Sequence, residues 1–214
     1  YYNGTTTGDY VDSQTYGAEN VWTNDFMAVY HLGDGDSTAA GFYIDSTSNN
    51  ADATLTDTDG DTVATSDGFL GGAVDFNGDA DQIMYIASGV SLGNMTMSSW
   101  QKVDDVNSGI FASDNNGNSD TFHLEYRATT NEIKYQVNNN STLNAPYIYG
   151  DWRYLAVTMD DIAQRTYYQG QEIGSTTATS TVKFDAYVIG AANNLGTDMD
   201  GPIDEVRIAS TTRS

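Results

Sequence analysis

The chain has 214 residues, no cysteine, and 30 acidic residues against 8 basic ones, for a formal net charge of −22. Without cysteine there is neither a disulfide framework nor a thiolate metal site, and so acidic a surface repels phosphate, which makes nucleic acid and anionic membranes poor partners. A chain of this length buries about 70% of the surface that its unfolded form exposes, so one large domain folds without staples.

Residues 1–25 are polar and aromatic without a periodic pattern, and read as a linker or as an edge strand carried over from a preceding domain. The start, Tyr1-Tyr2-Asn3-Gly4, lacks a Met and reads as a piece cut from a longer protein, whose export would be directed by a segment not contained in it. Helix signals are sparse: 22–32 and 160–165 hold a turn or two at most. Residues 33–70 form the longest polar stretch, rich in Asp, Thr, Ser and Gly, and loops of that length are usually functional or disordered. Beyond it, alternation at period two marks strands at 83–86, 95–103, 121–128, 132–137, 153–159, 166–169, 186–189 and 203–208. Short strands between turn clusters predict an all-β antiparallel sandwich or barrel. With two prolines in all, the turns rely on Gly and Asn, which tolerate positive φ. No apolar run approaches the ~20 residues of a membrane span, and no fixed-period repeat is present.

Five phrases occur in order: Gly72-Ala73-Val74-Asp75-Phe76-Asn77-Gly78, Met97-Ser98-Ser99-Trp100, Trp152-Arg153-Tyr154-Leu155-Ala156-Val157-Thr158, Tyr167-Tyr168-Gln169-Gly170-Gln171-Glu172-Ile173 and Gly201-Pro202-Ile203-Asp204-Glu205-Val206-Arg207-Ile208. Together they resemble the laminin-G-like branch of the concanavalin A-like lectin/glucanase superfamily, over roughly residues 26–210. The resemblance implies a two-sheet antiparallel jelly-roll sandwich over 26–214, in a secreted or cell-surface protein. It places Trp100 and Trp152 in the core. Tyr1-Tyr2-Asn3-Gly4 is similar to the strand that often closes a preceding domain in such proteins.

The same resemblance points to calcium. Asp45-Ser46-Thr47-Ser48-Asn49-Asn50 is similar to the loop after the family's first strand, and implicates Asp45, Asn50 and Asp204 as ligands of a structural Ca2+. The loop departs from the pattern at Asn49, where Gly is usual; the alternative is that Asp45 and Asp204 cap turns. The acidic stretches 57–61 and 114–120 also alternate oxygen-bearing side chains, but both lack the sixth-position Gly and twelfth-position Glu of an EF-hand loop. The second lies between two strands, so a hairpin connection explains it.

Catalysis finds little support. Glycosidases need two carboxyl groups ~5–9.5 Å apart, which glucanase relatives place on one strand, and no strand here repeats that arrangement. Asp204 and Glu205 are neighbours expected on opposite faces, and Glu125 stands alone. His31 and His123 are the only imidazoles. His123, Glu125 and Arg127 share one strand face, opposite Phe122, Leu124 and Tyr126, as a solvated face or as part of a polar ligand surface.

Sugar binding fits better, because flat rings stack on pyranose faces while amides and charged groups bracket them. Tyrosines number 15 against 7 phenylalanines. Tyr147 and Tyr149 share one side of an extended segment, with Asn138, Asn139 and Asn140 near in sequence and Arg127 as a charged contact. The expectation is a non-catalytic, lectin-like module with a structural calcium, whose partners are glycans or other extracellular domains, with no nucleic acid and no membrane insertion. The alternative is a structural or adhesive module that self-associates.

Overall fold

Runs that alternate in polarity pair here into two large antiparallel sheets, each burying one face. The computed structural model describes residues 18–33, 42–56, 65–78, 83–104, 108–114, 122–127, 130–137, 140–143, 149–160, 163–177, 182–192 and 197–213. In chain order the elements are α1 (Ala18–Val21), β1 (Phe26–Tyr30), β2 (Phe42–Tyr43), β3 (Ala53–Thr56), β4 (Thr65–Gly68), β5 (Gly71–Asn77) and β6 (Ile83–Leu92). There follow β7 (Met95–Gln101), β8 (Gly109–Asp114), β9 (Phe122–Arg127), β10 (Glu132–Val137), β11 (Asn140–Leu143) and β12 (Arg153–Met159). The last are β13 (Ala163–Tyr168), β14 (Gln171–Thr177), β15 (Val182–Ile189), β16 (Ala191–Ala192), β17 (Thr197–Asp198) and β18 (Asp200–Ala209).

The first sheet runs β14-β13-β12-β7-β18-β5-β4, with β1 also on β18; the second runs β11-β10-β9-β8-β15-β6-β3-β2. This is the expected jelly-roll sandwich. The strands expected from alternation all form, with ends shifted by a few residues. Both helical expectations fail. Residues 26–30 are a strand on β18, flanked by the left-handed residues Asn24, Asp25 and Leu32, whose positive φ stops a helix on either side. Residues 163–165 of the second stretch likewise fall to β13, while 161 and 162 lie outside the described residues. The polar stretch 33–70 contributes three short strands, β2, β3 and β4, rather than one loop.

The core lies between the sheets. Met95, Met97, Leu155, Val157, Met159, Ile203, Val206 and Ile208 from the first sheet meet Phe111, Phe122, Leu124, Tyr126, Ile133 and Tyr135 from the second, all buried. Trp100 and Trp152 are not among them. Both are only partly buried, and Trp100 is registered opposite Tyr154 and Asp204, on the side away from Met95 and Met97.

Strand β18 carries a bulge. Against β7, Asp204 faces Trp100 while Arg207 faces Ser98, so three steps on one strand match two on the other. Glu205 takes up the difference with φ at 51°, and Asp204 and Arg207 therefore share the outward face despite their odd spacing. At the strand's start, Gly201 has φ at 117°, and a Cβ there would collide with the Lys102 carbonyl oxygen. Only glycine fits both demands.

Candidate functional site

The outward face of the first sheet holds a groove of about 300 Å³. Its floor follows from register. Ala156 lies opposite Ser98, Ser98 opposite Arg207, and Thr96 opposite Ala209, so small side chains line up across β12, β7 and β18. Larger ones stand at the margins: Tyr154 and Tyr167 toward β13, Phe26, Arg207 and Arg213 toward β1. From Tyr167 to Arg207 the row crosses four adjacent strands, about 14 Å at the usual inter-strand spacing. The Ser98 hydroxyl and the phenol groups of Tyr154 and Tyr167 have no hydrogen-bond partner among the described residues. Among the described residues, no carboxylate or imidazole lines the groove.

One end of this face is aromatic. Phe69, in the turn between β4 and β5, stacks on Trp100 with ring centroids 3.5 Å apart and planes at 11°, and Trp100 in turn meets Tyr154 at 5.4 Å. Asp204 holds that turn in place. Its side chain is fully buried, Oδ2 accepts from Leu70 N at 2.8 Å and Oδ1 from Glu205 N at 2.7 Å, and the Phe69 amide adds a further bond. Burial pushes the Asp204 carboxyl above its ordinary value, and these amide bonds partly oppose the shift. At the other end, the Arg207 guanidinium lies 5.0 Å from the Trp22 ring and bonds Glu205 Oε2 at 2.9 Å, while His31 Nδ1 contacts Glu205 Oε1 at 2.7 Å. Burial pushes Glu205 up, but the bonds from His31 and Arg207 outweigh it and hold the carboxyl below its ordinary value.

Asp45 does local work too. Oδ1 accepts from Val29 N (2.9 Å) and Thr47 N (3.0 Å), and Oδ2 accepts from Thr47 Oγ1 (2.7 Å) and Ala51 N (3.0 Å). Four donors occupy the four lone-pair directions of a carboxylate. Asn50 is exposed and turns back to the Ser48 carbonyl, with φ at 51°. A calcium ion needs six to eight oxygens. Asp45 has none to give, Asp204 is committed to the turn at Phe69 and Leu70, and the two share no hydrogen-bond partner. The expected calcium set of Asp45, Asn50 and Asp204 does not fit that ion as arranged. Among the described residues, no group of three or more Asp, Glu or His could hold a metal. Residues 57–61, and 115–120 of the other acidic stretch, lie outside the described residues.

The sugar contacts expected from sequence are not among the described residues that line this groove. Tyr147 and Asn138 lie outside the described residues, and Asn140 is described only as the first residue of β11, paired with Val137. Tyr149 is 39% exposed and meets Tyr126 edge-on at 4.9 Å. Arg127 is engaged by Glu125, Nε to Oε1 at 2.5 Å. The face it shares with His123 and Glu125 is solvated only at Arg127 itself: His123 is 6% and Glu125 2% exposed. Lys134 Nζ bonds His123 Nε2 at 3.0 Å and approaches Glu125 Oε1 at 3.4 Å. Burial, aided by the Lys134 charge, lowers the His123 pKa to about 4, so the ring stays neutral, with its proton on Nδ1 and Nε2 free to accept.

The chain was compared with known proteins. A family model described as "Concanavalin A-like lectin/glucanases superfamily" matches residues 77–214. No curated protein sequence matches. Among solved structures, domain 4 of AbnA, a GH43 extracellular arabinanase from Geobacillus stearothermophilus in complex with arabinotriose, superposes with a TM-score of 0.67 at 22% identity, covering 89% of this chain and 94% of that one. Trypanosoma rangeli sialidase in complex with sialic acid gives 0.66 at 13% identity, over 91% of this chain and 32% of the sialidase. Domains LG4-5 of the mouse laminin alpha1 chain give 0.54 at 13% identity, over 70% of this chain and 42% of that one. At these identities the likeness is one of fold.

Proposed function

From the premise that the chain belongs to the concanavalin A-like lectin/glucanases superfamily, we propose that it is a non-catalytic carbohydrate-binding module of a secreted or cell-surface protein, and that the outward groove of the first sheet takes the sugar. The observation that carries this reading is the groove itself. It combines two phenol rings and three hydroxyls without partners among the described residues, over a floor of small side chains. Rings that stack and hydroxyls that bracket are what a pyranose or furanose requires, and about 300 Å³ is at the lower end of ligand-site volumes. Among the described residues no carboxylate lines the groove, which favours binding without hydrolysis, since glycoside cleavage needs a pair. Two structural neighbours were solved with sugars bound, one of them extracellular by its description. Among the described residues, no helix is long and apolar enough to cross a membrane.

The test is a glycan array followed by titration calorimetry on the hits. Tyr154→Ala and Tyr167→Ala are each expected to weaken binding about tenfold, the worth of one ring contact, with the melting temperature little changed. Binding indifferent to both substitutions moves the site off this groove. Silence across the array, combined with concentration-dependent self-association, replaces the reading with that of an adhesive module.

A further inference from the structure

Resting on the carbohydrate reading, we infer that the glycan held in this groove carries a fixed anionic substituent, a carboxylate or a sulfate, and that Arg213 receives it. The chain has five arginines. Four are paired with a carboxylate: Arg127 with Glu125, Arg153 with Asp151, Arg165 with Asp160 and Arg207 with Glu205. Arg213 is the exception among the described residues. Its guanidinium donates to the Asn24 carbonyl oxygen and lies 4.0 Å from the Phe26 ring centroid, with no carboxylate within ion-pair distance.

In a chain with 30 acidic residues and 8 basic ones, an uncompensated guanidinium is not the default outcome. A nearby carboxylate is easy to supply. Instead the residue is tied down by three neutral contacts. Its backbone amide donates to Thr96 Oγ1 at 2.9 Å, its guanidinium donates to the Asn24 carbonyl oxygen, and Phe26 supplies a ring face. These hold the guanidinium at the groove margin without neutralising it. Nη2 donates to Asn24 and Nε is buried, which leaves the outer N–H groups of the planar guanidinium for a carboxylate or sulfate oxygen. Arg207 lines the same groove, its own charge shared with Glu205, and the Ser98 hydroxyl beside it is unspent. The groove therefore offers a positive charge that no described carboxylate pairs, hydroxyl donors and aromatic walls together.

The whole-molecule field opposes this, because −22 charges repel an anion at long range. At physiological ionic strength the Debye length is about 8 Å, so a group inside the groove responds mainly to the arginine beside it.

The experiment compares three probes at 0.15 M salt: oligogalacturonate for carboxylate, carrageenan oligosaccharides for sulfate, and laminarin oligosaccharides as a neutral glucan. At least one anionic probe is expected to bind tenfold or more tightly than the neutral one, and which of the two binds identifies the substituent. Arg213→Gln is expected to bring the anionic probe down to the affinity of the neutral one, and Arg213→Lys to restore part of the preference. Thermal melting of each variant shows whether the tail at 210–213 still docks. Neutral probes binding as well as anionic ones, in the unmutated protein, overturn the inference and leave the carbohydrate reading standing. Binding of none of the probes, with silence on the glycan array, removes both.

Discussion

Replacing Asp204 by Ala tests whether this residue is a clamp rather than an ion ligand. The carboxylate takes amide hydrogens from Glu205, Leu70 and Phe69. Glu205 is buried, so its N–H is stranded in the variant, at a cost of about 1–3 kcal/mol. Phe69 and Leu70 are 41% and 43% exposed. Their amides reach water once the turn lifts, so each loses only a net hydrogen bond, about 0.5–1.5 kcal/mol. Relief of the buried carboxylate's desolvation, which its raised pKa reports, offsets part of the sum. A net loss of about 3 kcal/mol follows, or roughly 6–12 °C in melting temperature for a domain of this size. Urea unfolding and thermal melting, each in calcium and in chelator, measure it. Tryptophan emission reports on the Phe69–Trp100 stack, and should change in Asp204→Ala as it does in Phe69→Ala. A melting temperature within 2 °C of the parent, or a loss confined to calcium-containing buffer, refutes the clamp, the second outcome by restoring the metal role.

Asp45→Asn turns an amide donor toward donors that Asp45 now accepts, so it should cost roughly 2–4 kcal/mol, equally in calcium and in chelator; a calcium-specific gain in the unmutated protein would contradict this. His123 gives a pH signature. Its folded pKa, about 4, lies below the ordinary 6.5, so the unfolded chain takes up the proton first. The stability it contributes is complete above pH 6.5 and is lost as pH falls toward 4, by at most about 3 kcal/mol at 1.36 kcal/mol per unit. Urea midpoints from pH 7 to 4.5 should fall less steeply in His123→Gln, and parallel slopes would dispose of the argument. Acidic groups with raised pKa, Asp204 and Asp75, act in the opposite sense, favouring the fold as pH drops through their folded values.

Alternation read the strands well because each large strand buries one face, and the chain-order phrases read the fold. What they could not read was anything that depends on register. The groove floor exists because Ser98, Ala156 and Arg207 fall in one row; as separate residues, a serine and an alanine signal nothing. The bulge at Glu205 breaks the parity rule that put Asp204 and Glu205 on opposite faces, and it brings Asp204 and Arg207 to the same one. Trp100 is a different lesson. The resemblance assigned it to the core, whereas parity with Met95 and Met97 assigns it outward, and the structure follows parity. Asp45 stood out correctly as a loop residue, but its four partners are backbone and hydroxyl groups whose convergence no sequence pattern announces.

Strand β18 is the last in the chain and the most connected. It lies between β7 and β5, takes β1 along its second half, and places Ile203, Val206 and Ile208 in the core. The first sheet, then, cannot assemble until the residues of β18 are available to join β7 to β5. Local hairpins such as β9–β10–β11 form early, whereas β5 and β7 wait with open edges for a partner some hundred residues away. The first sheet is therefore completed late, once β18 has joined the halves that hold β7 and β5. A product that stops before Asp200 is no shorter sandwich but two half-sheets with exposed apolar rows, a substrate for proteases and aggregation.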